Sequence, residues 1–154
     1  MTTSLSTVHI LVDDPDVALG FYRDALGLTV SFEVENGGFK WITLITESQP
    51  EVGIVLSQPQ AGRSQEDGEA LAAMLAKGEM YPVHFRTDDL DSTFERIVSV
   101  PGVEVLQEPA SQPWGVRDAA VRDPAGNRLR IEQARTRPQA SGDKGVPTSP
   151  TLGR

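Results

Sequence analysis

Between residues 28 and 35 the chain reads LTVSFEVE, with Leu28, Val30, Phe32 and Val34 separated by polar side chains. That two-residue period predicts a strand with one buried face. Upstream, residues 6–12 are β-rich, and Asp14-Pro15 then opens a stretch in which Val17, Ala18, Phe21, Tyr22, Ala25 and Leu26 recur with helical spacing. Asp14 is suited to cap that helix, Pro15 to its first position, and Gly27 to its left-handed end. After the alternating strand, Asn36-Gly37-Gly38 marks a turn, and residues 39–46 and 52–57 read as two further strands. The order is βαβββ.

The same order returns downstream. Val8-His9-Ile10-Leu11-Val12-Asp13-Asp14-Pro15-Asp16 aligns, at an offset of 75, with Val83-His84-Phe85-Arg86-Thr87-Asp88-Asp89-Leu90-Asp91, and five of the nine positions are identical. Both histidines of the chain fall on equivalent positions of this repeat. The second copy predicts a strand over 81–87, an Asp89-capped helix with Phe94, Ile97 and Val98 on its apolar face, and strands over 103–107, 116–122 and 127–133. Pro101-Gly102 ends that helix and Asp123-Pro124-Ala125-Gly126 turns between the last two strands. Between the copies, Ala70, Leu71, Met74 and Leu75 predict a connecting helix over about 66–78, closed by Gly78. One unit of four strands and one helix is too small to complete a core alone, so each copy is expected to need the other. The fold class is α+β, two tandem βαβββ units in one domain over 1–133.

Charge changes this picture in one respect. The 154 residues carry 14 Lys plus Arg against 22 Asp plus Glu, a formal charge of -8. Residues 134–154 hold +3 of positive excess, are rich in Pro, Gly, Ser and Thr, and lack aromatic residues, which predicts a disordered tail. The remaining 1–133 therefore carry -11. Such a body lacks the clustered basic residues that nucleic acid requires, and it favours cationic ligands. No window is apolar for long enough to span a bilayer, and the N-terminus lacks a basic region followed by an apolar core, so the sequence predicts a soluble, cytoplasmic protein without a membrane partner. With no cysteine, thiol chemistry and Cys-ligated metal are excluded; His and carboxylates are the remaining good ligands.

Three features in order carry a resemblance: the repeated V-x-D helix start, the segment Phe21-Tyr22-Arg23-Asp24-Ala25-Leu26-Gly27-Leu28, and the hairpin Asp123-Pro124-Ala125-Gly126-Asn127. Together they resemble the vicinal oxygen chelate superfamily, which includes glyoxalases, bleomycin-resistance proteins and extradiol dioxygenases. The resemblance covers about residues 5–133. It implies an incomplete eight-stranded barrel around a cleft that holds a small molecule, in some members through a divalent metal that acts as a Lewis acid. The two units can pair within one chain or exchange between chains of a homodimer.

By the family's register, the metal-ligand slots fall on Thr7, Val55, Pro82 and Arg130, none of them a metal ligand here. His9, His84 and Glu132 lie two residues from those slots, about 6.5 to 7 Å along their strands. Two readings follow. In the first, the chain is a small-molecule-binding protein of the glyoxalase and bleomycin-resistance type, needing no cofactor, with His9, Trp41, His84, Trp114, Arg117 and Glu132 contacting the ligand. In the alternative, His9, His84 and Glu132 form a relocated divalent-metal site for a lyase, isomerase or dioxygenase. Each residue also has a plainer use: the histidines as hydrogen-bonded core residues, Glu132 in an ion pair with Arg130 or Arg86, Trp41 and Trp114 as core, and Arg117 paired with Asp118 or Asp123. The Asp13-Asp14-Asp16 and Asp88-Asp89-Asp91 groups read as helix caps.

Overall fold

In the computed structural model, which describes residues 1–135, the first unit runs β1 (Thr7–Leu11), α1 (Pro15–Leu19), β2 (Thr29–Asn36), β3 (Phe39–Ile45) and β4 (Gly53–Ser57). The connecting helix α2 (Gln65–Lys77) leads to β5 (Val83–Thr87), α3 (Leu90–Val98), β6 (Glu104–Ser111), β7 (Arg117–Arg122) and β8 (Arg128–Gln133). Apart from its first two residues, the tail expected over 134–154 lies outside the described residues.

Local chemistry sets the helix ends as the sequence predicts. Asp14 accepts from the amides of Asp16 and Val17, and Asp89 from that of Ser92, so one acid of each repeated cluster caps a helix. Ser64 caps α2, and Gly78 closes it in the left-handed conformation at φ 77°. One expectation is corrected here. The helix read as continuous through Leu26 widens after Leu19 into a π-helical segment, Gly20–Ala25, in which the Leu26 amide donates to the Phe21 carbonyl five residues back. Neighbouring Phe21 and Tyr22 are both fully buried there. Two consecutive side chains can both be buried only where a helix is covered on more than one side, and this one is covered by both units.

The strands form two sheets, β1-β4-β3-β2 and β5-β8-β7-β6, with β1 parallel to β4 and β5 parallel to β8. Among the described residues no strand of one sheet pairs with a strand of the other, so the sheets are not closed into a barrel. What joins the units is a single apolar core. It takes Ile10, Val12, Ile42, Leu44 and Leu56 from the first sheet, Phe21 and Tyr22 from the π segment, and Leu90, Ile97, Val121, Leu129 and Ile131 from the second unit. Each large side chain buried there contributes about 2 to 3 kcal/mol.

A buried polar clamp crosses the same junction. The Tyr22 hydroxyl donates to Asp123 Oδ2 at 2.6 Å, while Asp123 Oδ1 accepts the amides of Ala125, Gly126 and Asn127. Asn127 Nδ2 donates both to Asp123 and to the Leu11 carbonyl of the other unit. Burial pushes the Asp123 carboxyl above its usual range despite the donors around it, and burial followed by the Asp123 charge pushes the Tyr22 phenol well above its own, so the phenol stays a donor. Gly126 has φ 112°, and a Cβ there would lie 2.5 Å from the Leu75 carbonyl oxygen; the turn needs glycine to admit α2.

Two strand expectations are also corrected. β6 runs on to Ser111, because its Pro109 sits on the outer strand of the sheet, where a missing amide donor is tolerated, and because bulges absorb the irregular register. In β2 the alternation of Val30, Phe32 and Val34 predicts one shared face, but a bulge separates Val30 from Phe32. Val30 pairs with core Leu44, whereas Phe32 pairs with Thr43 and Val34 with Trp41, on the opposite face. One inserted residue exchanges the faces.

Candidate functional site

Because the core occupies the helix-facing side of both sheets, each sheet presents its other face away from that core. Pairing register identifies the side chains on each. On the first sheet the rows are Thr7, Gly53, Ile45 and Thr29; then His9, Val55, Thr43 and Phe32; then Leu11 beside Ser57, and Trp41 beside Val34. None of these residues is an Asp, Glu, Lys or Arg. Phe32 is 63 % exposed, Val34 and His9 are exposed, and Trp41 and Leu11 are half-buried. This is an apolar face with hydroxyls and one imidazole set into it.

The second sheet is built from the same strand order but carries different chemistry. His84 lies beside Arg130, then Ala120 and Gln107; Arg86 lies beside Glu132, then Asp118 and Ala110; Arg128 lies beside Arg122 and Glu104. Four arginines here face three carboxylates, within a folded body whose overall charge is strongly negative. Arg86 Nη2 and Nε both lie 2.7 Å from Glu132 Oε2, so of the plainer partners for Glu132 the structure selects Arg86. The side chain of Asp118 is only 6 % exposed and Arg130 Nη1 donates to it at 3.0 Å. Gln112 Nε2 and Gln107 Nε2 donate to Asp118 Oδ1 at 2.9 and 3.2 Å, and Gln107 Oε1 accepts from Gln112 and Arg130. Desolvation raises the Asp118 pKa, but the donors from Gln112, Gln107 and Arg130 together outweigh it and hold the carboxyl below its usual range.

Of the side chains singled out from the sequence, the structure puts His9 and Trp41 on the first open face, and His84 and Glu132 on the second. Trp114 stands 65 % exposed in the turn between β6 and β7. That turn is tied to the second face through Gln112, whose backbone amide donates to the Val116 carbonyl while its side-chain Nε2 donates to Asp118. Arg117 goes elsewhere: it belongs to the helix-facing side of β7 and pairs with Asp91 of α3 at 2.8 Å, not with Asp118 or Asp123. Both histidines are exposed, and neither is sealed in the core.

Within one chain these residues do not assemble a divalent-metal site. Val55 and Pro82 offer no side-chain donor, and Arg130 is a cation held by Asp118. His9 and His84 lie on separate sheets, and among the described residues no three His, Asp or Glu side chains come together to hold a metal ion. The relocated His9, His84 and Glu132 set is therefore not assembled within the chain.

Two residues of the second face were missed as functional candidates, Asp118 and Arg130. A signal was present: Arg128, Arg130 and Glu132 alternate with Leu129 and Ile131, which marks a charged face on a strand whose other side is core.

Comparison with known proteins agrees with this architecture. Residues 4–131 match the family model described as Glyoxalase/Bleomycin resistance protein/Dioxygenase superfamily. A putative glyoxylase, CFP32, from Mycobacterium tuberculosis (strain CDC 1551 / Oshkosh) is 30% identical over 125 residues, which are 81% of this chain and 42% of that protein. The chain thus spans about two fifths of the length of that curated relative. Among solved structures, UcmS2 superposes with a TM-score of 0.75 at 30% identity, covering 87% of this chain and 100% of that one. TnmS3, described as an antibiotic binding protein from Streptomyces sp. CB03234, superposes with a TM-score of 0.63 at 22% identity, covering 86% and 96%. The chain belongs to the glyoxalase, bleomycin-resistance protein and dioxygenase superfamily. No helix among the described residues is long and apolar enough to cross a membrane.

Proposed function

We propose that this protein binds a small molecule with a flat apolar body between two unlike walls, the uncharged open face of one first sheet and the charged open face of one second sheet. The observation that carries the reading is the first face itself: a bulge puts Phe32 and Val34 on the side of half-buried Trp41 and leaves both exposed, with no charge among their sheet neighbours. An exposed apolar surface bordered by hydroxyls and an imidazole is suited to a ligand with few polar groups. His9 and His84 then serve as hydrogen-bonding groups on opposite walls, and Trp114 as an aromatic ring at the rim of the second.

The two walls belong to different chains in this reading. Within one chain both open faces look away from the shared core, so neither covers the other. A homodimer in which the first sheet of one protomer faces the second sheet of its partner encloses two equivalent sites. The fold shared with TnmS3 is one on which an antibiotic-binding protein is built, which supports a small organic ligand here.

Light scattering coupled to gel filtration, with a titration of the neutral dye N-phenyl-1-naphthylamine followed by its fluorescence, tests both parts. The expected results are a mass twice 16.7 kDa and saturable binding of one dye per protomer that Phe32→Asp weakens by about tenfold. A monomer in solution contradicts the shared site. Dye binding indifferent to Phe32→Asp contradicts the first face as its wall.

A further inference from the structure

We propose that Arg130 is the anion-anchoring group of this site, receiving a carboxylate, sulfonate or phenolate oxygen of the ligand on the guanidinium edge that the protein leaves free. The inference deepens the binding reading above and rests on it.

Geometry separates Arg130 from the other arginines of the face. Its Nη1 is committed to Asp118 Oδ2 at 3.0 Å and to Gln107 Oε1 at 3.2 Å, so one corner of the fork is fixed. A guanidinium has five N–H donors. Those on Nε and Nη2 have no partner among the described residues, and neither nitrogen is a buried orphan; the one such atom is Arg122 Nε. The side chain is 38 % exposed, and its strand neighbours Leu129 and Ile131 point into the core, so the free donors face the open side. By contrast Arg86 is spent on Glu132 through both Nε and Nη2. Arg122 reaches the Lys77 carbonyl and Glu104, and Arg128 pairs with Glu79.

The support beneath Arg130 is what makes it an anchor and not a solvated surface charge. Asp118 is buried and its two oxygens are filled by Gln107, Gln112 and Arg130. Its depressed pKa keeps it ionised at neutral pH, so the tether does not loosen there. The guanidinium therefore loses little rotamer freedom when it takes up a ligand oxygen, and planar pairing with an anion adds direction to charge. Gln112, the residue that closes this network, also begins the turn carrying Trp114, which places an aromatic ring on the same supporting framework as the cation. The chemistry selected is an aromatic acid: an apolar body for the uncharged wall and an anionic oxygen for Arg130. This reverses the expectation, drawn from net charge alone, that the acidic body favours cationic ligands.

Two dyes of nearly the same shape test this. 1-Anilinonaphthalene-8-sulfonate carries a sulfonate that N-phenyl-1-naphthylamine lacks, so the neutral dye reports the apolar wall and the difference between them reports the anion anchor. Both are titrated into the full chain, into Arg130→Met, and into the Asp118→Asn, Arg130→Met pair, which removes the guanidinium without leaving a buried carboxylate behind. The expected result is that both variants weaken the sulfonate dye about tenfold and leave the neutral dye within about twofold. Equal weakening of both dyes, or an unchanged affinity for the sulfonate dye, overturns the role of Arg130 and leaves the apolar wall standing. Failure of the neutral dye to bind the unsubstituted protein overturns the binding reading itself, and this inference with it.

Discussion

The two open sheet faces have the same strand order and repeat-related first strands, yet opposite chemistry. Across the middle row of the first, His9 on the edge strand is followed by Val55, Thr43 and Phe32 on successive strands; across that of the second, its equivalent His84 is followed by Arg130, Ala120 and Gln107. The helix-facing sides have stayed alike, both supplying aliphatic side chains to one core. The difference teaches that core and open face answer to separate demands. Core positions are constrained by packing, while the outward positions of the same strands, one residue away, are left to chemistry.

Breaking the contrast from the apolar side produces the largest effect. Val55→Asp sets a carboxylate on the central strand of the uncharged face, at a position 8 % exposed and without a cation among its sheet neighbours. Urea unfolding should show a loss of about 3 kcal/mol, and binding of the neutral dye should disappear. On the charged side, Arg130→Met strands the Asp118 carboxylate and should cost about 2 kcal/mol, whereas Asp118→Asn with Arg130→Met should cost less than the single change. Additive losses in that cycle would show the two side chains to be independent.

The smallest effect lies in pH dependence. Asp118 has a folded-state pKa below its unfolded value, so its contribution is fully present above the ordinary carboxylate pKa and is lost as pH falls through the depressed one. Asp123, raised by burial, works in the opposite sense: stability declines as pH climbs from the ordinary value to the raised one. Asp118→Asn should therefore lower stability by about 1 kcal/mol at neutral pH and converge with the unsubstituted protein in acid. A constant difference across the acid range would exclude the Asp118 titration as its source.

Much of the fold was legible because its signals are local. Asp14 and Asp89 cap helices within three residues of themselves, Gly78 ends α2, and the repeat shows in nine consecutive positions. The sites were less legible because their partners are set by register across strands. Phe32 reads as a core residue until a bulge turns it outward, and Arg117 and Asp118 are adjacent in sequence but face opposite sides of β7. Arg130 attracts notice in the sequence as a position where a metal ligand is absent and as a plainer partner for Glu132. Its positive role depends on Asp118 and Gln107, 12 and 23 residues away, and on a strand order that periodicity alone does not reveal. The clamp from Asn127 to Leu11 spans 116 residues, although the hairpin motif that forms it is five consecutive residues.

The central claim is that one uncharged face and one charged face, from different chains, make one site. Mixing two crippled proteins tests it most directly. Phe32→Asp spoils the first wall and Arg130→Met the second, so neither protein alone should bind the sulfonate dye with the original affinity. After the two are unfolded together and refolded at equal concentrations, half of the dimers are mixed, and each mixed dimer contains one site with both walls intact. Recovery of about one quarter of the original sites, at the original affinity, is expected. No recovery on mixing would contradict it and return both walls to a single chain.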